Sequence, residues 1–114
     1  MNRRLLLAFL GALLAMTAAQ AQESVARVSA LASGKLLLNG QPASLTTIEA
    51  EFKKLRNNNG GVWYYRENPQ AEPTPQAMAV IEFVVKYKLP VSMSSKPDFS
   101  DYVDEHGNSK QRKP

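Results

Sequence analysis

Apolar and polar residues follow two different periods along the chain, which separates predicted strands from predicted helices. Residues 24–32 show partial alternation with β-branched side chains, and Ser33-Gly34-Lys35 joins them to the apolar residues 36–38. This arrangement predicts a β-hairpin, since a tight turn connects two short strands. Residues 62–66, which are aromatic and β-branched, predict a third strand, and residues 90–94 predict a fourth.

Two other segments carry apolar residues at the spacing of amphipathic helices. The first follows Ser44, a suitable N-cap, and the second begins at Thr74-Pro75 with an N-cap and a proline at the first helical position. The apolar stripes are Leu45, Ile48, Phe52 and Leu55 in the first helix, and Ala77, Val80, Ile81, Val84 and Val85 in the second, with Met78 and Tyr87 at its margins. Residues 98–103 predict one further helical turn, capped by Asp98.

The resulting order of elements, ββαβαβ, predicts an α+β fold with two layers. Strand–helix–strand connections cross over in the right-handed sense, so both helices are expected on one face of a small mixed sheet. The opposite face of the sheet is then only partly covered. An uncovered face of this kind is where a small protein meets a partner.

The N-terminal residues have the features of a secretory signal peptide. Arg3 and Arg4 precede the apolar residues 5–16, and small residues lead to Ala21, after which cleavage is expected. The alternative is a retained membrane anchor, but a spanning helix needs roughly 20 apolar residues and this run is shorter. We therefore expect a signal peptide over residues 1–21, a domain over 22–103 and a flexible tail over 104–114. The mature protein is expected to be soluble, periplasmic or secreted, with no transmembrane segment.

Composition removes several classes of chemistry. The 114 residues include no Cys and one His, which excludes disulfides, thiolate metal sites and most sites with several His ligands. The formal charge of the whole chain is +4. Arg3 and Arg4 leave with the signal peptide, so the mature chain has twelve basic and ten acidic residues. Such a mixed charge does not favour nucleic-acid binding. We expect no metal and no cofactor.

The residues that resemble catalytic groups have simpler explanations. His106 lies beside Gly107 in the expected tail, and a catalytic base needs rigid placement. The acidic pairs Asp98 with Asp101 and Asp104 with Glu105 lie in a segment that is expected to be exposed, whereas a glycosidase acid needs burial to raise its pKa. The sequence therefore predicts a protein that is not an enzyme.

The predicted third strand supplies the candidate partner-binding residues Trp63, Tyr64, Tyr65 and Arg66. Alternation along a strand places Trp63 and Tyr65 on one face, and Tyr64 and Arg66 on the other. One interpretation is that the first hairpin or the C-terminal segment covers the aromatic residues that point away from the helices. The other is that these residues form an exposed recognition surface, because Trp, Tyr and Arg dominate binding hot spots.

The same elements resemble the periplasmic domain of the ExbD/TolR biopolymer-transport proteins. The similarity covers about residues 25–95: the hairpin that ends in residues 36–42 (Leu-Leu-Leu-Asn-Gly-Gln-Pro), the capped helix after Ser44, and the later strand–helix–strand order. Members of that family carry a membrane helix with an acidic residue, but residues 5–16 contain no acid, so a motor role is not implied. The resemblance implies self-pairing and contact with envelope proteins or cell-wall material.

These observations lead to an expected function as an exported, non-catalytic binding module of the bacterial cell envelope. Its expected partner is a second copy of the chain, as a homodimer, or an envelope protein, and peptidoglycan is a further candidate. Two alternatives remain open at this stage: a small secreted hydrolase or hydrolase inhibitor, and a standalone dimeric structural protein.

Overall fold

A five-stranded mixed sheet forms one layer of the protein in the computed structural model, which describes residues 24–113. Its strands are β1 (Val25–Ala30), β2 (Leu36–Leu38), β3 (Gln41–Pro42), β4 (Gly61–Arg66) and β5 (Val91–Ser94). They lie in the order β3-β2-β1-β4-β5. Strand β4 is parallel to both β1 and β5, whereas β2 is antiparallel to β1 and to β3. The expected signal peptide, residues 1–21, lies outside the described residues.

Strand β3 is an element that the sequence analysis did not predict. The turn before it is Asn39-Gly40, with φ of +52° and +84°. Asn and Gly tolerate this left-handed conformation, and the two-residue turn folds β3 back onto β2. Asn39-Gly40 thus closes a second hairpin before the first helix begins.

Two helices form the second layer: α1 (Leu45–Asn57) and α2 (Pro75–Lys86). Both predicted N-caps are confirmed. The Ser44 hydroxyl accepts a hydrogen bond from the Thr47 amide at 3.2 Å, and the Thr74 hydroxyl accepts one from the Ala77 amide at 3.1 Å. Each bond satisfies a backbone donor that has no partner within the first turn of its helix.

The core lies between the two helices and one face of the sheet, which confirms the predicted α+β, two-layer fold. Its fully buried members come from both helices and from alternate positions of the central strands: Ala26, Val28, Ile48, Phe52, Val62 and Val80. The predicted stripe of α2 is correct at Ala77, Val80 and Val84 but wrong at Ile81 and Val85, which are exposed. The buried stripe of this helix is narrower than its apolar surface, because only one side of α2 faces the sheet.

The C-terminal residues differ most from expectation. No helical turn forms over residues 98–103, because Phe99 has a φ of +58°, outside the right-handed helical region. Instead β6 (Asp101–Val103) and β7 (Ser109–Gln111) pair as an antiparallel hairpin. Residues 104–114 are thus not a flexible tail throughout, since part of this segment is β7. The Asp104 carboxylate accepts hydrogen bonds from two backbone amides of the connecting turn. A search for apolar periodicity cannot detect such a turn, because it is stabilised by a polar side chain.

Candidate binding surfaces on the two faces of the sheet

Strand β4 divides the four candidate residues of the sequence between the two faces of the sheet. Tyr64 points toward the helices and is buried in the core. Burial raises the pKa of its hydroxyl, an effect that the nearby Arg66 partly opposes. Trp63 and Tyr65 point to the opposite face and are half-buried. The four side chains therefore do not form one surface, because successive side chains of a strand point to opposite faces.

Two guanidinium groups lie close to the Trp63 ring. The Arg112 guanidinium lies 3.8 Å from the centroid of the Trp63 ring, and that of Arg27, its neighbour on β1, lies at 4.9 Å. The Arg112 Nε also donates a hydrogen bond to the Phe99 carbonyl at 3.1 Å. Burial and the charge of Arg27 lower the pKa of Arg112, while the charge of Asp101 opposes them. Arg112 thus joins the end of the chain to the face of the central sheet.

Tyr65 is covered by the same C-terminal segment. Its ring meets that of Phe99 edge to face, with 6.4 Å between the ring centroids, and Phe99 is buried. Of the two interpretations of this face, the structure agrees with coverage by the C-terminal segment at Trp63 and Tyr65. These two residues do not offer a bare aromatic surface.

Asp101 is a buried carboxylate that fastens β6 to the end of β5. Its carboxylate accepts hydrogen bonds from Ser94 Oγ at 3.2 Å, Ser95 N at 3.0 Å, Ser95 Oγ at 2.5 Å and Ser109 Oγ at 2.6 Å. Burial alone raises the pKa of this carboxyl, but the serine donors outweigh burial and hold its pKa well below the usual range. With its oxygens so occupied, Asp101 is suited to structural support rather than to proton transfer.

Arg66, the fourth candidate residue, holds the loop before α2. Its guanidinium donates hydrogen bonds to the carbonyls of Pro69 and Ala71, the latter at 3.1 Å. This contact fixes the loop beside the N-terminus of α2. No sequence pattern indicates this role, because the acceptors are backbone carbonyls whose position depends on the folded loop.

An apolar groove of about 760 Å³ lies on the helix side of the sheet, between α2 and β5. The apolar residues that line it include Tyr64, Ala77, Met78, Ile81, Met93 and Val103. Arg66 and Glu82 are among its polar residues. Two of the four candidate residues, Tyr64 and Arg66, therefore line one concave surface, whereas Trp63 and Tyr65 lie beneath the C-terminal segment.

The groove belongs to a larger set of exposed apolar side chains. Met78 and Val85 on α2 are 54% and 70% exposed, and Val91 and Met93 on β5 are each 42% exposed. Residues 78, 81 and 85 recur at helical spacing, one position beyond the buried residues 77, 80 and 84. This second stripe was the signal in the sequence that the groove exists. The sequence analysis predicts Ile81 and Val85 in the core and Met78 at its margin, but all three side chains are exposed.

Two further groups of interacting polar side chains lie outside the groove. His106 is exposed and lies 3.8 Å from the Glu105 carboxylate. Glu49 on α1 accepts hydrogen bonds from the Tyr87 hydroxyl at 2.7 Å and from Lys86 at 2.9 Å, which lower its pKa and link the two helices. Within residues 24–113, no three His, Asp or Glu side chains lie close enough together to hold a metal ion.

Comparison with known proteins gives no family assignment. No protein-family model matches the chain, and no curated protein matches it. In the part of the chain that the structure describes, no helix is long and apolar enough to cross a membrane.

Proposed function

We propose that the protein is an exported, non-catalytic binding module of the bacterial cell envelope, similar in architecture to ExbD/TolR periplasmic domains. Its ligand is a protein, and the groove between α2 and β5 is the binding surface. Export is inferred from the signal-like residues 1–21, and cleavage after Ala21 would leave a chain that starts at Gln22.

The exposed apolar groove is the observation that supports this proposal best. Solvent-exposed apolar side chains are ordinary when they are scattered, but here they line a concave surface between a helix and a sheet edge. Contiguous apolar surface of this kind marks sites of protein interaction. Few of the residues that line the groove are charged or nucleophilic, and this composition favours binding over catalysis.

Export is tested by expressing the full chain with a C-terminal affinity tag and sequencing the N-terminus of the protein from the periplasm. We expect the sequence to begin at or next to Gln22. A protein that keeps Met1 and remains in the membrane fraction would contradict the proposed location.

Binding is tested with a matched pair of variants that add one negative charge each. Ile81→Glu places the charge in the groove, and Ala50→Glu places it on the exposed side of α1. Each exported protein is incubated with envelope extract and, separately, with purified cell-wall sacculi. We expect the wild type and Ala50→Glu to bind envelope proteins that Ile81→Glu does not bind. The proposal of a protein-binding groove would be refuted if all three proteins bound the same envelope proteins equally. It would also be refuted if they bound sacculi but no envelope protein.

A further inference from the structure

We infer that the ligand of the groove is an extended protein segment with acidic flanks, which adds as a further strand to the free edge of β5. This inference rests on the proposed function and specifies the partner of that same surface. It follows from three properties of β5: its backbone, the face its side chains occupy, and the charges at its ends.

The outer edge of β5 offers unpaired backbone groups. The Val62 amide donates a hydrogen bond to the Pro90 carbonyl at 2.9 Å, so Pro90 and Ser92 direct their backbone groups toward β4. Successive residues of a strand direct these groups to opposite sides, and those of Val91 and Met93 therefore point away from the sheet. Among the described residues, no strand pairs with this side of β5 at Val91 and Met93, whereas β6 contacts the C-terminal end of β5 through Asp101, which binds Ser94 and Ser95. An exposed edge of this kind accepts an added strand.

The side chains of β5 place the groove directly beside this edge. Val91 is in register with Val62, and Met93 is in register with Tyr64, so their side chains share the helix-facing side of the sheet. A strand that is added next to β5 continues this face. Every second side chain of such a segment would enter the groove opposite Met78 and Ile81, and apolar residues at these positions would bury the exposed surface.

Lysine residues flank the edge at both ends. Lys88 precedes β5 and Lys96 follows it, and both side chains are exposed. Within residues 24–113, neither forms an ion pair with a carboxylate, although hydrogen bonds from Ser100 lower the pKa of Asp98 and the charge of Lys96 adds to this effect. Acidic residues at the two ends of the bound segment would complement these charges, which would speed association and fix the register.

The same charges disfavour a second copy of the chain as the occupant. The antiparallel register that uses all the outward-pointing groups pairs Val91 of one copy with Met93 of the other. Counting outward from that pairing brings Lys88 of each copy toward Lys96 of the other. Two like-charge contacts would then oppose an otherwise apolar interface. A different segment with acidic ends meets no such repulsion.

The test uses the purified exported protein and synthetic peptides that alternate Val and Thr, with two Glu residues at each end. A control peptide carries Lys in place of Glu, and a second control carries a central Pro, which removes a backbone donor. Fluorescence anisotropy of labelled peptides gives the affinities. We expect the Glu-ended peptide to bind at least about tenfold more tightly than either control at low salt, with the difference from the Lys-ended peptide reduced at high salt.

Variants of the protein test each property separately. Met93→Pro removes an outward-pointing amide at an edge position that tolerates proline, and it should abolish peptide binding. Lys88→Glu combined with Lys96→Glu should reverse the preference, so that the Lys-ended peptide binds more tightly. This reversal requires a folded protein, so it stays informative even if Met93→Pro fails to fold.

Three results would overturn the inference. They are equal binding of the Glu-ended and Pro-containing peptides, no reversal by the lysine variants, and a dimer in sedimentation equilibrium that Met93→Pro dissociates. A further combined outcome is that Ile81→Glu fails to bind the envelope protein while the peptides also fail to bind the wild type. In that case the groove remains the binding surface and only strand addition is wrong. If Ile81→Glu loses nothing, the proposed function itself fails.

Discussion

A single buried carboxylate decides how the C-terminal residues attach to the domain. Asp101 is 2% exposed, and its donors come from both β5 and β7. Burying a charge is costly unless hydrogen bonds replace the lost water, and here hydroxyl and amide donors do so without a cation in direct contact. The residue is therefore sensitive both to substitution and to acid.

Replacing Asp101 with Asn should destabilise the protein by about 2 kcal/mol at pH 7, since hydrogen bonds to a charged group are lost. The folded-state pKa of Asp101 is depressed, so its contribution is complete above the unfolded value, near 3.9, and is lost as the pH falls toward the folded value. Urea unfolding at several pH values measures both effects. The difference in unfolding free energy between the wild type and Asp101→Asn should shrink from pH 5 to pH 2. A constant difference over this range would contradict a stabilising role for the ionised carboxylate.

Alanine substitutions in β4 should separate by position. Tyr64→Ala should cost about 3–5 kcal/mol, because Tyr64 is buried and leaves a cavity. Tyr65→Ala and Trp63→Ala should cost about 1–2 kcal/mol, since both are half-buried and lose contacts with Phe99 or Arg112. Thermal and urea unfolding would show the difference. Equal losses at all three positions would mean that the two faces of the strand are packed equally.

At the scale of the elements, short segments carry signals that periodicity misses. The long segments with regular periods, such as α1 and the central strands, were predicted with bounds close to those observed. The β6–β7 hairpin was not, because its stability comes from Asp101, from the turn around Asp104 and from the contact of Arg112 with Trp63. Each of these contacts joins residues whose proximity depends on the completed fold.

Removal of the C-terminal hairpin is the corresponding test. A chain that ends after Asn108 lacks β7, the Ser109 hydroxyl and Arg112, and it should lose about 2 kcal/mol of unfolding free energy. A chain that ends after Arg112 keeps these contacts and should change by less than about 0.5 kcal/mol. Equal stability of both truncated chains and the full chain would show that the hairpin contributes nothing to the domain.

At the scale of the whole molecule, the sequence established the layers but not the location of the candidate site. The apolar stripes of both helices and the order of strands were sufficient to predict one helix-covered face. The location of the groove depends on how far α2 extends over β5, which is a property of packing between elements. The residues at 78, 81 and 85 look like core in the sequence and become surface only because β5 is the edge of the sheet.

The stacking of Arg112 on Trp63 gives the protein an optical reporter. Trp63 is the only tryptophan of the chain, so its fluorescence reports this one contact without any label. Release of the hairpin would expose the indole to water while β1–β5 stay intact. We expect the emission to shift to longer wavelengths at a lower urea concentration than the loss of far-ultraviolet circular dichroism. If the two transitions coincide, the hairpin and the central sheet unfold as one cooperative unit.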